Sequence, residues 1–312
     1  MEAITAGPAT FIYETTTVVE SERPISVRGL SHFVRDSVPK IEHTLAESLP
    51  AAPFDVGAPF NAAVRDAIFP GGKRLRPILT LLGAELCGGD AESVLPAAAA
   101  VEFVHTSSLI FDDLPSMDNA ENRRGRESLH RKFGDSMATL VAIGFLNEAY
   151  KLVSTLPSAE PSDVLAAIRE MSECVGPAGM IGGQALDLSP LAGGLPTSDQ
   201  LKNRKTSGLI RMALNLGAIL SQADDERLTV LTEFAEIFGN AYQKSDDIID
   251  FYEDNDRRVA QAEWPASGVH DARGELAECV NSGKATLAAA FPDTPARACL
   301  GELLEYTITR LA

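Results

Sequence analysis

Residues 92–113 read ESVLPAAAAVEFVHTSSLIFDD, and within them Val94, Ala98, Val101, His105, Ser108 and Asp112 recur at steps of four and three. That repeat is one face of a helix, and here it passes from apolar to polar and ends in a carboxylate. A second segment, LTVLTEFAEIFGNAYQKSDDIID at 228–250, follows the same design: Leu228, Leu231, Ala235, Phe238, Tyr242, Ser245 and Ile249 share a face that also holds Asp246. Two helices therefore carry inward stripes that finish in aspartates. An ionised carboxylate turned inward is costly unless it is paired or bound to metal.

Outward from these segments, helical spacing recurs near 137–154, 163–181 and 207–221, separated by the polar or Gly/Pro-rich joints PSAEPSD and SPLAGGLPTSD. No run of alternating β-branched residues closes on a two-residue turn. The pattern predicts an all-α, single-domain bundle of long helices around a central cavity. It occupies 31–312 behind a loose N-terminal arm at 1–30. The loops are too short, and the inward charges too mutually dependent, for two independent cores.

The 312 residues are 45% apolar and 6% aromatic, enough for a large core in a globular protein. A formal charge of −17 argues against a nucleic-acid partner, so any phosphate ligand must be met by local cations. No unbroken run of 18 apolar residues occurs, and no transmembrane segment is expected. The first thirty residues carry Glu2, Glu14, Glu20 and Glu22 and lack a signal pattern, which predicts a cytoplasmic protein. Cys87, Cys174, Cys279 and Cys299 lie far apart without a CxxC pair and read as packing residues.

The acidic clusters are FDDLPSMDNAENRRGR, with Asp112, Asp113 and Asp118, and SDDIIDFYED, with Asp246, Asp247 and Asp250 on one helical face. Like charges at that spacing repel, and a divalent cation resolves the conflict. Mg²⁺ prefers hard oxygen ligands and sits between one or two carboxylates and substrate phosphates, an arrangement two facing clusters can build. The basic set is PGGKRLRP, placing Lys73 and Arg76 three apart on the opening turn of a predicted helix, followed by Arg123, Arg124 and Lys205. Such cations suit two diphosphates, one held through metal and one held directly. His105 stands one heptad before Asp112 on the same face, where a histidine also serves as an ordinary hydrogen-bonded core residue.

Taken in order, GGKRLRP, EFVHTSSLIFDDLPSMD, RRGR, GGQALD, RKTS and YQKSDDIID span about residues 60–250. Together they resemble the trans-prenyltransferase family, in its farnesyl and geranylgeranyl diphosphate synthase branch. The resemblance implies the isoprenoid synthase fold and condensation of an allylic diphosphate with isopentenyl diphosphate. It implies that Asp112, Asp113, Asp118, Asp246, Asp247 and Asp250 hold a trinuclear Mg²⁺ cluster on the allylic diphosphate, helped by Arg123 and Lys205. By the same likeness Lys73, Arg76, His105 and Arg124 hold isopentenyl diphosphate, Gln243 lines the cavity, Thr206 lies near the departing diphosphate, and the protein is a homodimer. In the resembling family an aromatic residue five positions before the first cluster closes the floor near farnesyl length. Ser107 and Ser108 are small and leave it open, which favours geranylgeranyl diphosphate with farnesyl diphosphate as intermediate or product; Phe145 is the alternative filler.

The chain also departs from the family pattern. After Asp250 it reads FYEDNDRRVAQAEWPASG in place of a Gly-Lys-Asp stretch whose lysine meets the allylic diphosphate, leaving Arg257 or Arg258 as substitutes. AIGFL at Ala142–Leu146 replaces a Gly-Asp-Ala-Leu element, Arg204 replaces a histidine, and Phe111 stands where histidine is frequent. These departures keep a second expectation, a catalytically weak regulatory subunit of a heteromeric synthase. A class I terpene cyclase is the third, disfavoured because cyclases do not need Lys73 and Arg76.

Overall fold

The computed structural model describes residues 29–188, 198–256 and 266–310. The expected arm, 1–30, falls almost wholly outside them, as do Arg257 and Arg258. The described residues form twelve α-helices: α1 Leu30–Glu47, α2 Phe54–Ile68, α3 Leu75–Leu86, α4 Leu95–Asp113, α5 Leu129–Phe133, α6 Asp135–Ser154, α7 Pro161–Val175, α8 Met180–Asp187, α9 Ser198–Ile219, α10 Asp225–Asp256, α11 Ala266–Ala290 and α12 Pro295–Thr309. The all-helical bundle read from the stripes is the fold observed.

α4 lies at the centre. Its start is set by Pro96, whose missing N–H is free of consequence in a first helical turn. Ala97, Ala98, Ala99 and Ala100 are all at most 1% exposed, so neighbouring helices approach closely. One turn on, Phe103 packs on Phe145 of α6 with ring centroids 5.2 Å apart. Burying each ring contributes about 2 kcal/mol. The segment 91–113 is long and apolar enough to cross a bilayer by composition alone, with mean hydropathy 1.5. Its most apolar stretch is instead 78% buried within the bundle, as expected of a core helix.

α3 and α9 cross almost backbone to backbone. A Cβ on Gly83 would lie 2.3 Å from the Leu214 carbonyl, and one on Gly217 would lie 2.0 Å from the Thr80 carbonyl. α7 is tied to α9 by Glu170, which accepts from Arg211 at 2.8 and 2.7 Å and from Asn215 at 2.8 Å. Asp224 caps α10 by accepting from the Arg227 N–H at 2.8 Å, the usual way to satisfy a first-turn donor.

Three local expectations are corrected. The helix read over 163–181 breaks at Gly176–Gly179, where Pro177 and two glycines end α7 and allow α8 to start afresh. Lys73 and Arg76 do not share an opening turn: α3 begins at Leu75, with Arg74 as its N-cap in the left-handed region at φ 53°. The third is a small hairpin, where no strand was expected. β1 Asn122–Arg123 pairs antiparallel with β2 Arg126–Glu127 around Arg124 and Gly125, both at positive φ (53° and 74°), the signature of a tight primed turn. A ladder two residues long has no alternation to detect.

Candidate active site

The first acidic bank closes α4. Asp112 and Asp113 are 7% and 4% exposed, deep for carboxylates, while Asp118 is exposed on the loop beyond. The Asp118 N–H donates to the Asp112 carbonyl at 3.0 Å, folding that loop back over the helix end. Asp113 accepts from Arg123 through Nε at 2.9 Å and also through Nη2. This bond to Asp113, ahead of the opposing effect of burial, pushes the basicity of Arg123 up, with Asp112 and Asp118 adding to it. The primed turn thus aims one arginine at the bank. It sends the next, Arg124, over Gly72, whose absent side chain makes the room: a Cβ there would lie 2.9 Å from the Arg124 guanidinium.

Beside this pair lies a recess of about 110 Å³, lined among others by Phe69, Gly71, Thr106, Asp113, Arg123 and Arg124. Next to it Arg76 of α3 meets His105 of α4, with Arg76 Nη1 3.1 Å from His105 Nε2. A guanidinium only donates, so Nε2 accepts and the imidazole proton sits on Nδ1. Burial, then the charges of Arg76, Arg124, Arg123 and Arg74, hold His105 well below the ordinary histidine range. Arg76 Nε and His105 Nδ1 are buried donors with no hydrogen-bond partner among the described residues. Such donors are costly, and an acceptor brought to either would remove that cost.

The second bank lies on α10. Asp246 is partly buried and accepts from Arg310, whose guanidinium also covers the Tyr242 ring at 4.4 Å. Burial pushes the Asp246 carboxyl above its ordinary value, opposed by Arg310 and Lys73. Asp247 is exposed and accepts from Gln243 at 2.9 Å. Asp250 and Lys205 sit on the backbones of α10 and α9, and their side chains are outside the described residues. Thr206 is half-buried on α9.

The two banks share one electrostatic neighbourhood through the GGKRLRP segment. Lys73 acts on Asp246, while Arg76 feels Glu102 first and then Tyr242 and Arg124. Lys73 itself donates to the Tyr306 hydroxyl at 2.7 Å. Tyr306 and Arg310 were not found by reading the sequence. Their only local hint is a spacing of four on α12, and their partners lie 233 and 64 residues away. Among the described residues no three carboxylate, histidine or cysteine side chains converge on one point. An ion here would need phosphate oxygens to complete its shell, as Mg²⁺ commonly does.

The serines below the first bank are both engaged. Ser107 donates to the Ala142 carbonyl of α6 at 2.9 Å, and Ser108 to the His105 carbonyl at 2.8 Å. The Phe103–Phe145 pair lies one turn further down α4.

Comparison with known proteins fits this layout. Geranylgeranyl pyrophosphate synthase 7 of Arabidopsis thaliana is 38% identical over 197 residues, which is 61% of this chain and 56% of that protein. Heterodimeric geranylgeranyl pyrophosphate synthase large subunit 1 of the same plant is 35% identical over 210 residues, 64% of this chain and 56% of that protein. Across such curated relatives the matched length is 54% to 62% of theirs. Among solved structures, an FPP/GFPP synthase from Zymomonas mobilis superposes with a TM-score of 0.77 at 30% identity, covering 91% of this chain and 99% of that one. A geranyltransferase from Legionella pneumophila gives 0.77 at 27% identity, covering 90% and 97%. The polyprenyl synthetase family model matches residues 58–259, a span that takes in Lys73, Arg76, His105, both arginines of the hairpin and both aspartate banks, and on that match the chain belongs to the polyprenyl synthetase family.

Proposed function

We propose that the protein joins isopentenyl diphosphate to an allylic diphosphate, lengthening a trans-prenyl chain. The observation that carries the reading is the pair of buried, unpartnered donors on Arg76 and His105, in the field of Arg124 and Arg123. A cationic recess of that kind fits one diphosphate held without metal. Asp112, Asp113, Asp118, Asp246, Asp247 and Asp250 would hold Mg²⁺, with three ions as the expected complement; their hard carboxylate oxygens suit that ion. When bound, Mg²⁺ would supply stabilisation of charge on the departing allylic diphosphate.

The chain's own residues do the rest. Arg123 and Lys205 bind that leaving group, while Arg76, Arg124 and Lys73 orient isopentenyl diphosphate so that its alkene lies against the allylic carbon. Cleavage of the carbon–oxygen bond releases diphosphate, the allylic carbon bonds to the alkene, and the proton lost from the adduct passes to the released diphosphate, which completes the turnover. Neutral His105 can donate from Nδ1 to a phosphate oxygen without adding a charge.

With Ser107 small, the Phe103–Phe145 pair becomes the floor, one helical turn (about 5.4 Å) below the place an aromatic at 107 would close. That supports geranylgeranyl diphosphate as product, and Ser107→Phe should shorten it, as chromatography of the prenyl alcohols would show. Leu140 and Ile143 project from α6 at 57% and 51% exposure on the side opposite its α4 contact, which supports a homodimer through α6. Light scattering at twice the chain mass checks this. A second reading, a subunit active only beside a partner synthase, is favoured by the missing Gly-Lys-Asp stretch after Asp250. Incubation of the purified chain with Mg²⁺, isopentenyl diphosphate and dimethylallyl, geranyl or farnesyl diphosphate decides between them. An elongated product establishes the synthase, and none in any mixture transfers the case to the subunit.

A further inference from the structure

The GGKRLRP segment has a cation that faces away from the cleft. Arg74 is 2% exposed, and its guanidinium is fully engaged. Nε donates to Glu42 of α1 at 2.6 Å, and Nη2 donates to the same carboxylate at 3.2 Å. Nη1 donates to Glu102 of α4 at 2.7 Å, and Nη2 also reaches the Ile68 carbonyl at the end of α2, at 2.9 Å. Three elements therefore close on one side chain.

The backbone around it is held in the same grip. Arg74 occupies the left-handed region at φ 53°, which a residue with a Cβ keeps only where its surroundings over-determine it. Gly71, at φ 76°, lies directly on the guanidinium, since a Cβ there would stand 2.2 Å from Nη2. The turn made at Arg74 separates its neighbours. Lys73 leaves toward Tyr306, and Arg76 enters α3 facing His105. Glu102 and His105 are three residues apart on α4, so Arg74–Glu102 and Arg76–His105 form two successive rungs between the start of α3 and α4.

We propose that Arg74 is a positioning residue for isopentenyl diphosphate: without touching substrate, its guanidinium locks the turn that aims Lys73 and Arg76 at one diphosphate. This rests on the reading of Lys73, Arg76 and His105 as the metal-free diphosphate cradle. Lysine cannot replace it, because a point ammonium cannot serve two carboxylates and a carbonyl in the plane of a fork. The allylic side of the site is carried by α9, α10, the hairpin and the far end of α4, where Asp112 and Asp113 lie about three turns beyond Glu102 and are held by Arg123, so the two substrates should respond differently to its loss.

The test uses the full chain as wild type, Arg74→Lys and Glu42→Gln, the last altering a partly exposed carboxylate on α1 that leaves the Glu102 rung intact. Binding of isopentenyl diphosphate alone is measured by calorimetry, and KM for each substrate and kcat are measured with geranyl diphosphate. Arg74→Lys should weaken isopentenyl diphosphate about 30-fold in Kd and KM, the size expected on losing a supporting partner, and Glu42→Gln, which keeps the Glu102 rung, about 3-fold. The geranyl diphosphate KM and kcat should stay within about 2-fold for both variants, a split that general loosening of the fold would not produce. Unchanged isopentenyl diphosphate binding, or equal weakening of both substrates, overturns the proposal. If Arg74→Lys does not fold, Glu42→Gln decides by the same split. If the wild type binds no isopentenyl diphosphate, the cradle reading itself fails and the role of Arg74 falls with it.

Discussion

The two aspartate banks carry the same residue type at similar spacing, yet they are held in opposite ways. Asp113 is buried, and its partner Arg123 lies 10 residues away in the adjoining hairpin. Asp246 is 42% exposed at its side chain, and its partner Arg310 lies 64 residues away at the end of α12. The first bank is complete once α4 and its hairpin have formed. The second is complete only when α12 has docked, and its cation holds a carboxylate oxygen that a metal ion would need. A buried carboxylate cannot lose its partner cheaply, whereas a half-exposed one can exchange one cation for another. Under the proposed function, the first bank would serve as fixed scaffold and the second as the place where cations exchange.

That contrast can be broken most directly in turnover. Asp112→Asn and Asp246→Asn should each lower kcat by about 10³-fold if both banks serve one ionisation step. Steady-state kinetics with an unchanged far-ultraviolet spectrum checks this, and a loss confined to one bank would divide the site. Stability should separate the banks in the other direction. Arg123→Ala should cost about 2 kcal/mol in urea unfolding, a figure already reduced because the arginine is 38% exposed. Arg310→Ala should cost less than about 1 kcal/mol. Equal costs would mean that the banks are equally built in.

Metal dependence sharpens the exchange argument. Arg310→Gln should lower the Mg²⁺ concentration for half-maximal turnover about 5-fold by vacating Asp246, while Arg123→Gln should not lower it, the effect being about 1 kcal/mol of removed competition. The smallest effect is expected between the banks, at His105. The unfolded chain takes up a proton there near pH 6.5, and the folded chain, with its depressed basicity, does not. Stability present at pH 7 is therefore lost as pH falls, by about 1 kcal/mol at pH 5.5. His105→Gln should flatten that part of the urea midpoint against pH.

Legibility followed the range of the interaction. The inward stripes of α4 and α10, and with them the all-helical fold, stand in the sequence because a helix repeats every few residues. Lys73, Arg76, His105, Arg123 and Arg124 could be singled out as cations or near-cations stranded in an acidic chain. Arg74 could not: as an N-cap it lies outside the helical period, and its partners come from α1 and α4. Tyr306 and Arg310 were illegible for the same reason, since pairing across 233 or 64 residues leaves no periodic mark. The floor was half legible. Ser107 was visible as a small residue, but its bond to Ala142 and the aromatic pair beneath it depend on which face α6 presents.

Two of the chain's five tyrosines stand against the cations of the cleft, Tyr242 under Arg310 at 4.4 Å and Tyr306 beside Lys73 at 5.0 Å. Ring-fluorinated tyrosine would turn them into separate magnetic-resonance reporters, one beside the cation that holds Asp246 and one beside Lys73. A ligand added at either place could then be told from one at the other in a single spectrum.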